Sequence, residues 1–327
     1  MHSEWGEKFR LSVFGESHGA VVGVVIGGLP AGFEPDFAEV RRELARRAPG
    51  QGETVTPRRE SDEFEVMSGL LNGRATGAPL MALCRNLDTR SRDYEPSIPR
   101  PGHADLAAAV KYGGFNDYRG GGHFSGRLTA PVVFAGALAK QLLSRRGVDI
   151  SARITEIHGE RDPDKFDGEI LEAKRRGDSV GGVIECRARG VPAGWGEPMF
   201  RGVESELSAM LFSIPAVKGV EFGDGFELAR RLGGEVSDGI GVDANGNVVY
   251  LANHNGGING GITNGEDIIF RVAIKPTPTI ALPQNTVDLS QNKPVTHSFV
   301  GRHDPSVVPR AVPVIEAAAA IALAQYL

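Results

Sequence analysis

The segment 100–130 combines histidines, arginines and aspartates with a triple glycine at 120–122. Glycines can adopt backbone angles closed to other residues, so main-chain N–H groups can converge there on an anion. Lys111, Arg119 and Arg127 supply full positive charges, and a helix beginning just after them would add the partial charge of its N-terminus. The segment predicts a site for a phosphorylated ligand; a glycine-rich turn with a solvated, charged rim is the alternative interpretation.

Loop histidines are the second candidates, because an imidazole titrates near neutrality and can move protons. Loops rich in Gly, Pro or Asn commonly carry positioned side chains, and three of the histidines in such loops have an acid or an arginine within two residues. Five of the eight histidines lie in such loops, at positions 18, 103, 123, 254 and 303. The sequence therefore predicts proton transfer at a shared site. No histidine pair has a metal-ligand spacing, which disfavours a metal enzyme.

Other classes of protein are less well supported by the sequence. G-E-S-H-G at 15–19 matches the G-x-S-x-G elbow of serine hydrolases, but that elbow needs a helix directly after the serine, and the residues that follow are β-branched. A phosphate-binding protein without catalysis would explain the glycines and arginines but not the histidines. Neither a Walker loop nor a dinucleotide fingerprint is present, which disfavours a kinase or a standard NAD enzyme.

The elements that must position these loops alternate between strands and helices. β-branched runs at 9–14 and 20–28 flank G-E-S-H-G and predict two strands joined by a tight loop, followed by a helix at 36–47. The almost wholly apolar stretch 129–146 predicts a helix that is buried or lies at a subunit contact. Further strands are predicted at 64–67, 80–83, 150–158, 180–188 and 267–274, further helices at 105–112 and 311–326, and an exposed charged segment at 160–178.

A short repeat indicates an internal duplication. G-L-P-A-G at 28–32 is nearly copied by G-V-P-A-G at 190–194, and in both places a strand precedes the motif and a helix is expected after it. Each half is therefore predicted to pair strands with helices.

Composition narrows the class of protein further. A chain of 327 residues with 41% hydrophobic residues can bury one large core or two smaller ones. A net charge of −5 gives no bias toward nucleic acid, and the absence of a long apolar run or signal peptide predicts no membrane association. The two cysteines have no ligand spacing, so neither a disulfide framework nor a zinc site is expected, and a cytoplasmic location is predicted.

Taken together and in order, the loops resemble the chorismate synthase family from one end of the chain to the other. The motifs that carry the resemblance are F-G-E-S-H-G (14–19), P-G (49–50), R-P-G-H-A-D (100–105), K-Y-G (111–113), D-Y-R-G-G-G (117–122), G-V-P-A-G-W-G-E-P (190–198), A-V-K-G-V-E-F-G-D-G-F (216–226), N-H-N-G-G-I-N-G-G-I (253–262), K-P-T (275–277) and G-R-H-D-P (301–305).

The resemblance implies an α+β fold, a β-α-β sandwich with an internal pseudo-two-fold repeat, spanning 1–327 as a single domain and assembled as a homotetramer. It implies a carbon–oxygen lyase of the shikimate pathway that eliminates phosphate in a 1,4-anti sense from 5-enolpyruvylshikimate 3-phosphate to give chorismate. Reduced FMN is required although there is no net redox change, and some members use NADPH to reduce it.

The resemblance also assigns roles to three residues. His18 is expected to protonate the departing phosphate, and His103 to protonate the reduced flavin. Asp304 is expected to help the flavin N5 take the substrate's proton. These roles suit the residue types, since an imidazole titrates near neutrality and a carboxylate can orient or accept a proton.

The same resemblance implies which residues bind the substrate and the flavin. A guanidinium grips phosphate or carboxylate in a bidentate way, so the expected substrate contacts are Arg47, Ser125, Arg127 and Arg310. The expected flavin contacts are His123, Phe124, Ser125, Pro215, Ala216, Gly260, Lys275, Pro276, Thr277, Pro278, Thr279 and Arg302. The chain departs from many members at His123, Phe124 and Leu128, where Arg, Ser and Glu are common, and at Glu53, where a second arginine is often found.

Overall fold

The computed structural model describes residues 3–48, 54, 62–87, 94–299, 301 and 304–327. Its first half forms an antiparallel sheet of five strands, in the order β1-β2-β3-β7-β4. The elements of this half are β1 (Glu4–Trp5), β2 (Arg10–Gly15), β3 (Val21–Gly27), α1 (Phe37–Arg47), β4 (Phe64–Ser68), β5 (Leu70–Leu71), β6 (Arg74–Ala75), β7 (Leu80–Arg85), α2 (Asp105–Lys111) and α3 (Thr129–Ser144).

The second half forms an antiparallel sheet in the order β10-β15-β9-β8, together with three small hairpins. Its elements are β8 (Asp149–Ile157), α4 (Phe166–Arg175), β9 (Gly182–Arg189), α5 (Val203–Phe212), β10 (Val217–Phe222), β11 (Ile240–Val242), β12 (Val248–Tyr250), β13 (Ile258–Asn259), β14 (Ile262–Thr263), β15 (Ile268–Ile274), β16 (Gln284–Asp288), β17 (Lys293–His297) and α6 (Val308–Leu323).

The two halves repeat one order of elements, which confirms the predicted duplication. The series β2, β3, α1, β4, β7, α3 corresponds to β8, β9, α5, β10, β15, α6, with the same pairing of strands in each sheet. The glycine that opens each G-x-P-A-G motif has a positive φ, 90° at Gly28 and 71° at Gly190. A Cβ there would lie 1.8 Å from the Lys8 carbonyl oxygen or 2.3 Å from that of Gly147, so only glycine fits either turn.

Helices fill the space between the two sheets, as the β-α-β sandwich requires. α3 packs against α6 and β3, while α6 also packs on β8 and β9. The predicted burial of α3 is confirmed: Phe134 and Leu138 are almost fully buried inside the protomer, so this helix gives no evidence of a subunit contact. Both halves contribute to this one helical layer, which supports a single domain over 1–327; that assignment stays a prediction.

Two helices differ from the sequence predictions. α6 begins at Val308 rather than 311, because Pro309 lies in the first turn, where a missing N–H breaks no helical hydrogen bond. With the turn to Tyr326 this helix is apolar enough to cross a membrane, yet 83% of the stretch is buried inside the protein, as in a core helix. The charged segment 160–178 contains α4, which buries Phe166 and Ile170 under a charged outer face.

Candidate active site

A cavity of about 1610 Å³ lies where the loops after β7, α5 and β15 meet the N-terminal ends of α3 and α6. Both sheets and the helical layer therefore contribute to its walls. The expected site residues that line it are His103, Asp304, Arg47, Ser125, Arg127, Arg310, His123, Phe124, Pro215, Ala216, Lys275, Thr277, Pro278 and Thr279. The structure thus brings together residues from widely separated parts of the chain.

The triple glycine forms a backbone wall beside the candidate acids. Gly120, Gly121 and Gly122 have φ values of 62°, 81° and 54°. A Cβ on Gly120 would lie 2.4 Å from Cδ2 and 2.6 Å from Nε2 of His18, so a side chain at this position would collide with the imidazole. Glycine is required here because the backbone approaches the ring so closely.

His18 is buried, with 6% of its surface exposed. Its ring meets that of Tyr94 edge to face, with centroids 5.2 Å apart. The neighbouring Ser17 N–H donates to the Gly122 carbonyl oxygen at 3.0 Å, which fastens the G-E-S-H-G loop to the glycine wall. His18 does not itself line the cavity, but Gly120 and Tyr94, which contact it, do. β3 follows this loop, so the helix that a serine-hydrolase elbow needs is replaced by a strand.

His103 is held in a network of charges at the start of α2. Its Nδ1 lies 2.6 Å from Oδ1 of Asp105, and Arg100 binds the same carboxylate through Nε at 2.7 Å and Nη2 at 2.8 Å. Burial raises the pKa of Asp105, but the hydrogen bonds from Arg100 and His103 outweigh burial and hold that pKa well below its usual range. This carboxylate is therefore ionised at neutral pH.

Asp304 and Arg310 form a second ion pair on the cavity wall. Arg310 Nη1 donates to Oδ2 of Asp304 at 2.8 Å, and Arg310 Nε donates to the Arg47 carbonyl oxygen at 3.0 Å. The Asp304 carbonyl oxygen accepts from Thr277 Oγ1 at 2.7 Å. An expected substrate contact thus orients an expected catalytic carboxylate, and both are tied to the end of α1 and to the loop after β15.

Arg47 and Arg127 share one buried carboxylate, Asp62. Arg47 Nε donates to Asp62 Oδ2 at 3.0 Å, and Arg127 Nη1 donates to Oδ1. Both arginines are buried, with 2% and 5% of their surface exposed. The three side chains carry a net charge of +1 at the cavity, in fixed orientations. Asp62 was not among the residues expected from the sequence, since nothing distinguishes it there from the neighbouring acidic residues that follow the arginine cluster.

Lysines add positive charge at another part of the cavity. Lys218 and Lys275 both line it, and Lys275 Nζ donates to the Gly102 carbonyl oxygen at 2.5 Å. Burial, with a contribution from the charge of Lys218, lowers the pKa of Lys275. A bound anion would relieve this repulsion, so the pair is suited to a phosphate group. Lys218 was not among the residues expected from the sequence.

His123 binds protein groups on both sides of its ring. Nδ1–H donates to the Gly15 carbonyl oxygen at 2.8 Å. Nε2 lies 2.9 Å from Ser3 Oγ and can accept a hydrogen bond from this hydroxyl. The imidazole therefore joins the residue before β1 to the end of β2. The residue still lines the cavity, beside Phe124.

Some expected residues lie elsewhere. Gly260 is in the turn between β13 and β14, and neither it nor Pro276 lines the cavity. His254 is hydrogen-bonded to Asp224 and Asp238 in a separate loop, so the structure does not bring it to the other histidines. Arg302, His303 and Glu53, with the P-G turn at 49–50, lie outside the described residues. Within the described part of the chain no cluster of His, Cys, Asp or Glu is arranged to hold a metal ion.

The buried imidazole of His18 and the half-buried imidazole of His103 lie beside a cavity lined by arginines and lysines, an arrangement typical of enzymes that act on small anionic substrates. A family model described as chorismate synthase matches residues 9–327. The chain is 47% identical to the chorismate synthase of Korarchaeum cryptofilum, over 99% of this chain and 96% of that protein, and 46% identical to that of Porphyromonas gingivalis, over 98% and 94%. A chorismate synthase crystal structure aligns with a TM-score of 0.75 at 30% identity, covering 98% of this chain and 92% of that one. The chain therefore belongs to the chorismate synthase family, whose members are carbon–oxygen lyases acting on phosphates.

Proposed function

We propose that this cavity binds 5-enolpyruvylshikimate 3-phosphate together with reduced FMN and eliminates phosphate in a 1,4-anti sense to give chorismate. The observation that carries the proposal is the arrangement of His18 and His103 against one glycine wall, beside a cavity lined by Arg47, Arg127 and Arg310. This arrangement places two candidate proton donors near the positive charges that the phosphate and carboxylates of the substrate require.

The residues present fit a flavin mononucleotide as well as the substrate. The cavity, about 1610 Å³, exceeds the roughly 300–1,000 Å³ usual for one small ligand. Lys218 and Lys275 would hold the phosphate of the flavin, and the loops at 123–125, 215–216 and 275–279 would hold the rest of the molecule. Reduced flavin, when bound, supplies electron density to the reacting centre.

The arginines bind and orient the substrate. Arg47 and Arg127 line the cavity, and Asp62 holds both guanidinium groups in place, so less side-chain entropy is lost when they bind a phosphate or carboxylate. Arg310 is fixed in the same way by Asp304 and by the Arg47 carbonyl oxygen. Preorganised charge of this kind stabilises negative charge that develops on the leaving group.

Proton transfer is assigned to three side chains. His18 donates a proton to the departing phosphate oxygen, which makes phosphate a better leaving group. His103 holds a proton at the cavity through a ring oriented by Asp105. Asp304, held by Arg310, presents a carboxylate that can orient or accept the proton removed from the substrate.

Anaerobic turnover tests the proposal. Purified protein, chemically reduced FMN and 5-enolpyruvylshikimate 3-phosphate should release phosphate and chorismate in equal amounts, and omission of reduced FMN should abolish both. A folded protein that binds flavin but releases neither product would contradict it. In a parallel assay NADPH and oxidised FMN replace the reduced flavin. Turnover would identify NADPH as the reductant, and a lack of turnover would mean that an external system reduces the flavin.

We also propose a homotetramer in the cytoplasm, on family grounds. Apolar side chains on the β11–β12 hairpin, Ile240, Val242 and Val248, are about 70% exposed in the isolated protomer, as expected of residues that a second subunit covers. Light scattering should give a mass four times that of the 34.8 kDa chain. A monomer at micromolar concentration would contradict the tetramer.

A further inference from the structure

Three groups meet at the imidazole of His103. Asp105 Oδ1 lies 2.6 Å from Nδ1, while Arg100 Nη2 lies 3.1 Å from Nδ1 and 3.4 Å from Nε2. Gly121 leaves room at Nε2, because a Cβ at this position would lie only 3.0 Å from that nitrogen. An ionised carboxylate can only accept, so the proton between His103 and Asp105 belongs to Nδ1.

We propose that Asp105, clamped by Arg100, is a positioning residue that fixes the Nδ1–H tautomer of His103 and so leaves Nε2 as the nitrogen that gains and loses the working proton. The inference rests on the proposed function for the identity of the reaction, but its geometry is independent of the substrate. Asp105 lines the cavity, but its proposed role acts through His103 and needs no contact with the substrate or the flavin.

The clamp on Asp105 is more complete than loop structure alone demands. Both carboxylate oxygens are bound by the Arg100 guanidinium, and the Arg100 backbone N–H donates to Oδ2 at 3.0 Å. Arg100 is held in turn by Thr279 Oγ1 at 3.3 Å and lies over the Tyr94 ring at 5.3 Å. The carboxylate therefore cannot rotate away from Nδ1, and its low pKa keeps it an acceptor over the working pH range.

Replacement of Asp105 by asparagine exchanges a carboxylate that can only accept hydrogen bonds for an amide that can also donate one. The introduced amide, whose carbonyl and amino ends are nearly the same shape, can turn its NH₂ toward His103 and accept no proton from Nδ1, which favours the opposite tautomer. A tautomer reversed in this way is known to cost an enzyme histidine most of its activity, as in the Asp-to-Asn change of a serine-protease triad.

Nitrogen NMR of the full-length protein labelled on its histidine rings tests the tautomer directly, without substrate or flavin. The His103 signals are assigned with His103→Gln. We expect wild type to show Nδ1–H and Asp105→Asn to show Nε2–H or a mixture. Asp117→Asn is the matched control, because it removes a similar bidentate pair with Arg119 in the same segment without contacting His103; its His103 signals should match wild type. An Nε2–H tautomer in wild type, or an unchanged one in Asp105→Asn, would overturn the inference.

A double-mutant cycle in turnover separates positioning from a structural role. We expect Asp105→Asn to lower kcat about 10²-fold with little change in KM, and to cause no further loss in a His103→Ala background. Equal losses in both backgrounds would mean that Asp105 only supports the loop. If wild type itself is inactive, the proposed function fails, while the NMR result still decides the tautomer.

Discussion

Gly121 lies directly against the imidazole of His103: a Cβ placed on its Cα would come within 2.9 Å of Cε1 and 3.0 Å of Nε2. The preceding residue, Gly120, makes the same approach to His18. Two successive glycines thus fit two histidines that are 85 residues apart in the sequence. The triple glycine therefore sets the positions of both candidate acids, in addition to the anion-binding role that the sequence predicts for it.

Gly121→Ala should impair catalysis more than its small size suggests. The residue has a φ of 81°, so alanine costs about 1–2 kcal/mol in backbone strain alone, and its methyl group would displace the His103 ring. We expect turnover to fall toward that of His103→Ala. The measurements are kcat and the free energy of unfolding in urea.

Gly126→Ala in the same loop is the matched control, because that glycine has open space around its Cα and no positive φ. It should keep wild-type stability. If Gly121→Ala also retained wild-type turnover and stability, the glycine wall would not position His103.

His18→Ala and His103→Ala should each reduce turnover by roughly 10²–10⁴-fold, the usual range for loss of a general acid, while the protein stays folded. Single-turnover phosphate release measures the effect, and circular dichroism checks the fold. His158→Asn is a suitable control, because His158 is an exposed turn residue with a φ of 53°, which asparagine tolerates. Near-normal rates in both alanine variants would remove the assignment of these histidines as proton donors.

How far the sequence predicts this site depends on how local each contact is. The His103–Asp105 pair is two residues apart, and the repeated G-x-P-A-G turn marks both halves of the fold, so both are accessible from the sequence. Asp62 is different: it lies just before β4, and it meets Arg127, just before α3, only because the fold brings these two parts of the chain together. A single sequence contains no periodicity that reports such an ion pair.

The same limit applies to the placement of His254 and His123. Both lie in glycine-rich loops and have the residue type for proton transfer, yet one bonds to Asp224 in a separate loop and the other ties Ser3 to Gly15. Composition around a histidine predicts that it lies in a loop; which loops share a cavity is decided by the packing of the sheets and helices.

Asp304→Asn should lower kcat and leave substrate binding largely intact, because the variant keeps an oxygen for Arg310 but loses the carboxylate that orients or accepts a proton. Arg310→Ala should instead raise KM, since it removes a cation from the cavity wall. Steady-state kinetics of both variants at saturating reduced FMN make the comparison. If Asp304→Asn instead raised KM and left kcat unchanged, the roles assigned to Asp304 and Arg310 would be wrong.

Glu316 on α6 joins four elements through one buried carboxylate, which predicts a stability effect distinct from catalysis. It accepts from Arg46 at 2.6 and 2.9 Å, from Lys140 at 2.6 Å and from the Ala152 backbone N–H at 2.9 Å. Burial raises the pKa of Glu316, but the hydrogen bond and charge of Arg46 and Lys140 outweigh it, and the net shift is downward. The folded protein therefore binds a proton here less readily than the unfolded chain does.

The stability that Glu316 contributes is complete above the ordinary glutamate pKa of 4.5 and is lost as pH falls below it toward the lowered folded value. Glu316→Gln, which keeps an acceptor for Ala152, should lower the free energy of unfolding at pH 7 by roughly 2–3 kcal/mol, mainly because Lys140 loses its closest partner in a largely buried position. The variant should also lose less stability than wild type between pH 5 and pH 3. Urea unfolding across this range measures both effects, with Glu172→Gln on the exposed face of α4 as the control that should change little. Parallel pH profiles for Glu316→Gln and wild type would show that this carboxylate is not the linked group.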